Sequence, residues 1–217
     1  MLNFINDKPQ TIYYMSSAKI QLSAEELQLV QNAQWLLTKN IIIEKVYTLF
    51  GELAAENRKW IRNQPAFLPD EILSFSPKIS RGEKYKGLPY VMLDYPRCFG
   101  KEDVFAIRVF FWWGNFFSIT LHLKGKYQRL FLPSLQKHWV LLCANHFQLS
   151  ITGDEWEHDL NGGNFSLLPD HITDSHALDL TSAAFIKLSC PVAFSRWNDA
   201  KEILSRLNEV IIQSVTG

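Results

Sequence analysis

Apolar and polar positions recur along this chain with two different periods, helical toward both ends and extended in the middle. From Ser23 to about Arg62 the apolar residues return every three or four positions, the period of a helix with one face in a core. Ser23-Ala24-Glu25-Glu26 matches a capping box, in which the serine oxygen accepts from an unpaired helix N–H and the glutamate reaches back to the cap. A helix is predicted to start there. Unbroken to Arg62 it would be roughly 58 Å long, more than the roughly 45 Å diameter of a compact chain of this size. A break near Lys39-Asn40, giving an N-terminal helical hairpin, is therefore expected. The second arm carries two adjacent stripes, Ile42/Val46/Leu49/Leu53 and Ile43/Tyr47/Phe50/Ala54, which together make a wide buried face.

After Pro65 and Pro69 the pattern shortens to extended runs, with strands predicted at 78–80, 90–94, 104–112 and 116–124. Phe105, Ile107, Val109, Phe111 and Trp113 alternate with Ala106, Arg108, Phe110 and Trp112, and Gly114-Asn115 supplies a turn, so 104–124 reads as a β-hairpin. Its second arm sets Phe117, Ile119, Leu121 and Leu123 against Ser118, Thr120, His122 and Lys124. That is the half-buried pattern of antiparallel sheets, in which one face meets water or a ligand. Further strands are expected at 139–143 (alternatively helical), 147–152, 165–168 and 184–189, with a turn at Asn161-Gly162-Gly163-Asn164. The chain closes with Asn198 or Asp199 as a cap and Ile203, Leu204, Leu207, Val210 and Ile211 at helical spacing. Helices, then strands, then a helix indicate an α+β fold: an N-terminal helical hairpin, a central mainly antiparallel sheet with an aromatic-rich β-hairpin, and a C-terminal amphipathic helix. With no Pro/Gly/Ser-rich linker in view, residues 1–217 are expected to form one domain.

Composition narrows the class. The chain has 217 residues, 22 Lys+Arg against 22 Asp+Glu, and 47% hydrophobic residues, enough to bury about 70% of its unfolded surface. Zero net charge argues against a nucleic-acid partner, which demands cations to displace counterions. Cys98, Cys143 and Cys190 are odd in number and lie 45 or more positions apart, so neither a disulfide framework nor a paired-cysteine zinc motif is expected. Met1 to Ser23 carries Asn6, Asp7, Lys8 and Pro9 where an export signal needs apolar residues. The most apolar stretch, Val109 to Phe117, is too short to cross a bilayer. A cytoplasmic protein with no membrane partner is the expectation.

The neutral total hides two charged segments. Between Lys78 and Lys101 there are six cations (Lys78, Arg81, Lys84, Lys86, Arg97, Lys101) and two acids (Glu83, Asp94), a local charge of +4. Tyr85, Tyr90 and Tyr95 are interleaved, and Arg81-Gly82 and Lys86-Gly87 offer backbone N–H groups to an anion. Lys86-Gly87-Leu88-Pro89-Tyr90-Val91 matches part of the RNA-recognition pattern, but Leu88 and Leu93 replace two of the stacking aromatics that mechanism needs. The acidic counterpart, Asp154, Glu155, Glu157, Asp159, Asp170, Asp174 and Asp179, lies in a 49-residue interval from His138 to Ile186 without Lys or Arg. His158, His171 and His176 fall within it. Imidazole and carboxylate ligands together suit zinc or another divalent transition metal, although carboxylates in such loops also commonly cap turns.

Serine-elbow, P-loop and dinucleotide-binding motifs are missing. The stretch from Ile79 to Arg97, containing Arg81-Gly82-Glu83-Lys84-Tyr85-Lys86-Gly87-Leu88-Pro89-Tyr90, followed by the Phe/Trp-rich hairpin, resembles bacterial families of uncharacterised proteins. That resemblance implies no activity, cofactor or site. The leading expectation is a non-catalytic binding protein in which Arg81, Lys84 and Arg97 hold an anionic small molecule or acidic partner by charge-assisted bonds. Tyr90, Tyr95 and Trp112 would wall the pocket. Two alternatives remain. One is a metal-dependent hydrolase with His158, His171 and His176 as ligands and Asp170 or Asp174 as ligand or base. The other is a homodimer joined by the basic and acidic segments.

Overall fold

In the computed structural model, which describes residues 21–62, 68–168 and 180–217, seven strands among the described residues join in one sheet. They are β1 (Lys78–Tyr85), β2 (Leu88–Phe99), β3 (Val104–Trp112), β4 (Phe116–Lys124), β5 (Gln148–Ser150), β6 (Phe165–Leu167) and β7 (Ile186–Ala193). Their order is β1-β2-β3-β4-β7-β5-β6, and every pairing is antiparallel. The helices are α1 (Ala24–Gln31), α2 (Ala33–Arg62), α3 (Asp70–Leu73), α4 (Lys126–Lys137), α5 (Trp139–Ala144) and α6 (Ala200–Thr216), the last preceded by a 3-10 turn at Phe194–Asp199. The fold is α+β, with helices first, an antiparallel sheet in the middle and a helix last. The chain divides into two compact units, residues 1–42 and 43–217.

The aromatic hairpin forms as its alternation dictates. β3 and β4 pair without a slip from Val104↔Lys124 to Trp112↔Phe116, and Gly114 sits in their turn at φ 74°, a left-handed geometry that glycine adopts without steric cost. The odd-numbered residues Phe105, Ile107, Val109, Phe111, Phe117, Ile119, Leu121 and Leu123 join Ile43, Val46, Phe50 and Leu53 of α2 and Leu204, Leu207 and Ile211 of α6 in the main core. Around the hairpin tip Phe111, Phe117, Phe194 and Trp197 pack ring on ring at 5.1–6.1 Å. Helices therefore cover one face of the sheet.

Three expectations are corrected. The capping box at Ser23 forms, with Glu26 N–H donating to Ser23 Oγ at 3.2 Å and Ser23 N–H to Glu26 Oε2 at 2.7 Å. The break, however, falls at Asn32, where ψ is 78°, and α2 then runs unbroken for 30 residues through Lys39-Asn40. Asn32 is suited to this because its Oδ1 accepts from Trp35 N–H at 3.1 Å and so caps the second helix. Residues 139–143 are helical, not extended. The half-buried face of the hairpin also meets no bulk water: Ser118, Thr120 and His122 are at most 3% exposed, because residues 151–164 fold across them.

Candidate functional site

On the face opposite the helices the sheet carries polar rows that follow from its registers. Asp94 of β2 pairs with Arg108 of β3, Arg108 with Thr120 of β4, and Thr120 with Ser189 of β7. One step along, Ala106, His122 and Lys187 align. Each alternates with core residues, so period-2 alternation alone puts them side by side. Arg108 donates to both Asp94 oxygens, Nε to Oδ1 at 2.6 Å and Nη2 to Oδ2 at 3.1 Å, a bidentate geometry that Lys cannot reproduce. The hydroxyls of Thr120 and Ser189 bond at 2.7 Å.

The covering segment supplies the partners. Asp154 and Asp159 cap turns, their Oδ1 atoms accepting from Trp156 N–H at 2.8 Å and Asn161 N–H at 2.9 Å. The other side chains bind down onto the sheet. Lys86 lies 3.1 Å from Glu157 Oε2 and 2.9 Å from Asp159 Oδ2, Lys124 donates to Glu155 Oε1 at 2.9 Å, and the Tyr85 hydroxyl donates to Glu157 Oε1. The basic and acidic segments thus meet within one chain, across a separation of more than 70 residues. Lys187, 1% exposed, donates to the carbonyl oxygens of Glu155 (3.0 Å) and Glu157 and lies 3.4 Å from His158 Nδ1. His158 Nε2 is 3.1 Å from Arg108 Nη1, so the ring is wedged between a guanidinium and an ammonium.

Burial and crowding set the charges. Desolvation, reinforced by Lys187, Arg108 and Lys124, pushes His122 down to about 3, and desolvation with Lys187 and Arg108 carries His158 well below the usual histidine range. Both rings are neutral. Glu155 Oε2 lies 3.2 Å from His122 Nε2, but the angle leaves both atoms without a hydrogen bond, so it does not offset the burial. Desolvation and then Arg108 bring Lys187 down to about 7. Burial opposes ionisation of Glu157, yet bonds from Tyr85, the Asp159 N–H and Lys86 hold it at about 2.

The six residues expected to form an anion site are not gathered together. Arg81 pairs in register with Val91 on the helix side, 3.7 Å from Glu44 and 5.6 Å above the Tyr47 ring. Tyr95 is buried in the main core. Tyr90 and Trp112 are cross-strand partners on the opposite face, packed with Tyr85, Phe110, Phe116, Leu160 and Phe165 in a second apolar cluster. Arg97 Nε donates to the Ser76 carbonyl at 3.1 Å with its guanidinium over Phe75, and Lys84 is exposed. Of the metal-ligand alternative, His171, Asp174 and His176, with Asp170, lie outside the described residues. His158 faces two cations, a surrounding that repels a divalent ion. No group of three or more His, Cys, Asp or Glu side chains among the described residues is placed to hold a metal.

A feature that sequence reasoning missed lies where β7 ends. A cleft of about 540 Å³ opens between the end of α5, β7 and the start of α6. Leu167, Val192, Ile203 and Leu207 give it apolar walls, and Arg196 and Arg206 stand on its lining. Arg206 Nη1 donates to Asn145 Oδ1 at 2.7 Å and Arg196 Nε to Asp199 Oδ2 at 3.0 Å, so each guanidinium is steadied through one nitrogen. No carboxylate lines the cleft among the described residues. At its base the Cys190 thiol donates to the Asn145 carbonyl at 3.3 Å, and burial raises it to about 11, which removes it as a nucleophile. The two arginines are ten positions apart and Asn145 is fifty or more residues upstream, so no local motif marks the cleft. No family model, curated protein or solved structure matches the chain. No helix among the described residues is long and apolar enough to cross a membrane.

Proposed function

We propose that the protein is a non-catalytic binding protein for an amphipathic organic anion, a carboxylate or phosphate carried on an apolar body, received in the cleft beside β7. The observation that carries this reading is the pairing of Arg196 and Arg206 with apolar walls in a space of about 540 Å³, the size and character of a small-ligand site. Arginine serves the anionic end because its planar fork matches carboxylate and phosphate oxygens. The walls take up the apolar body, at roughly 25 cal/mol per Å² removed from water. The cations of 78–101 are poorer candidates. Lys86 is held by Glu157 and Asp159 on one face of the sheet while Arg81 and Arg97 lie by Glu44 and the Ser76 carbonyl on the other, so they are dispersed. Arg196, itself paired with Asp199, lines the same cleft as Arg206.

The test is a thermal-shift and calorimetric screen of medium-chain carboxylates, aryl carboxylates and sugar phosphates against the wild type, an Arg196→Ala/Arg206→Ala variant and an Arg81→Ala/Arg97→Ala variant. A ligand at 100 times its Kd stabilises the native state by about 2.7 kcal/mol. That gain is expected in the wild type and in the 81/97 variant, and is lost in the 196/206 variant. Equal stabilisation of all three proteins, or none by any organic anion, rejects the reading.

A further inference from the structure

A second, smaller hollow lies where the end of α2, the chain after α3 and β2 come together. It holds about 90 Å³ and is lined by Arg58, Ile61 and Arg62 of α2, by Leu73 to Ser76, and by Tyr95 of β2. It shares no residue with the cleft beside β7. Among the described residues no Asp or Glu lines it.

Three polar groups meet at this hollow, and none of them is bonded to a described residue. Arg58 and Arg62 stand one turn apart on the same face of α2, a spacing at which like charges repel. The helix positions from which a carboxylate could relieve them hold Ala54, Ala55, Lys59 and Ile61, and the nearest acid in sequence, Glu56, is taken by Lys201 at 2.8 Å. Neither guanidinium has a hydrogen bond or ion pair among the described residues. Tyr95 is 5% exposed, its ring packed in the main core, yet its hydroxyl bonds to no described residue. A phenol so buried ordinarily finds a partner. Burial raises its pKa while Arg58 and Arg62 act in the opposite direction, so both positive charges lie near that oxygen. The helix macrodipole favours a cation in the last turn, which accounts for Arg62 but not for the unbonded phenol beside it.

We propose that this hollow binds a tetrahedral phosphoryl group, gripped by Arg58 and Arg62 and completed by a hydrogen bond from the Tyr95 hydroxyl. One planar guanidinium already satisfies the two oxygens of a carboxylate. Two guanidiniums and a hydroxyl call for an anion with three or more acceptor oxygens, which a phosphoryl group supplies. The space is that of a few waters at about 30 Å³ each, so it admits the phosphoryl group alone and leaves any attached body at the surface. Ile61, Leu73 and Phe75 back the site with apolar surface, which keeps water from screening the charges there.

Calorimetric titration of the full chain tests this, with inorganic phosphate, phenyl phosphate and acetate at about pH 7.5, where a phosphate monoester is mostly dianionic. The titrations are repeated in an Arg196→Ala/Arg206→Ala background, so that binding in the cleft beside β7 is not counted and either proposal can fail without the other. A phosphate Kd of about 1 mM or tighter is expected, unchanged by that background. Arg58→Gln/Arg62→Gln should weaken binding at least about 10-fold and melt no lower than the wild type by circular dichroism, because both side chains are exposed. Tyr95→Phe, which removes only the hydroxyl, should weaken it about 5-fold. Tighter binding of phenyl phosphate supports a phosphoryl group on a larger molecule, and binding of inorganic phosphate alone supports the free ion. No phosphate binding up to about 10 mM, affinity indifferent to the 58/62 variant or to Tyr95→Phe, or acetate bound as tightly as phosphate overturns the proposal.

Discussion

Arg108 and Asp94 stand directly opposite one another on neighbouring strands and share two hydrogen bonds while 8% and 5% exposed. Neither charge has water to fall back on, so each depends on the other. Asp94→Ala is expected to cost about 3–5 kcal/mol in urea denaturation, because it strands a buried guanidinium. Asp94→Leu/Arg108→Met removes both charges at once and is expected to cost far less. A single variant no worse than the double would show that Arg108 finds another anion.

The two neutral histidines make the fold acid-sensitive. Above about pH 6.5 His122 and His158 are uncharged both folded and unfolded, so they leave stability unchanged. Below it the unfolded chain takes up protons that the folded protein refuses until about pH 3 for His122. The unfolded state binds more protons in that window, so stability falls as the pH falls, by up to about 1.4 kcal/mol per pH unit for each ring. Guanidinium melts between pH 7 and 4 should therefore be steeper in pH for the wild type than for His122→Gln.

Lys187 clamps the covering segment through the carbonyl oxygens of Glu155 and Glu157. In Lys187→Met those oxygens lose their donor, and amide hydrogen exchange is expected to rise at least 10-fold across 155–161 with β3 and β4 unchanged. The wild-type lysine releases its proton at about 7 when folded and near 10.4 when unfolded. The unfolded state holds the extra proton between those values, so wild-type stability should climb from pH 7 toward 10 relative to Lys187→Met. A constant difference over that range would show that the buried amine does not titrate there.

Gly82 is pressed against its cross-strand partner. A Cβ at position 82 would lie 2.5 Å from Tyr90 Cε1, and the Tyr90 ring is hemmed in by Tyr85 and Phe110 at 6.2 and 5.7 Å. Gly82→Ala is expected to cost about 1–3 kcal/mol through forced repacking. In a Tyr90→Leu background the same change should cost less, which a double-mutant cycle measures.

How far sequence reasoning carries differs between elements. The hairpin 104–124 could be bounded to the residue because its signals are local: strict alternation, a glycine turn, aromatics on both arms. α6 was legible through its apolar spacing, although Asp199 at its start makes no capping bond and pairs with Arg196 instead. Residues 139–143 were ambiguous because a five-residue apolar run fits either period, and contact with α6 makes it a helix. The chain break was misplaced because Lys39-Asn40 looks like a helix stop, whereas the break lies at Asn32, whose side chain caps the next helix.

The sequence by itself determined that one chain would form helices around an antiparallel sheet, and that its neutral total was made of a basic and an acidic segment. Only the tertiary structure decided that Lys86 of the basic segment meets Glu157 and Asp159 of the acidic one, that the polar face of the hairpin is sealed, and that Arg196 and Arg206 share a cleft. The physical reason is range. Helix caps, turns and alternation act over a few residues, whereas which charge finds which partner depends on contacts between residues 10 to 100 positions apart, which exist only once the strands are in register.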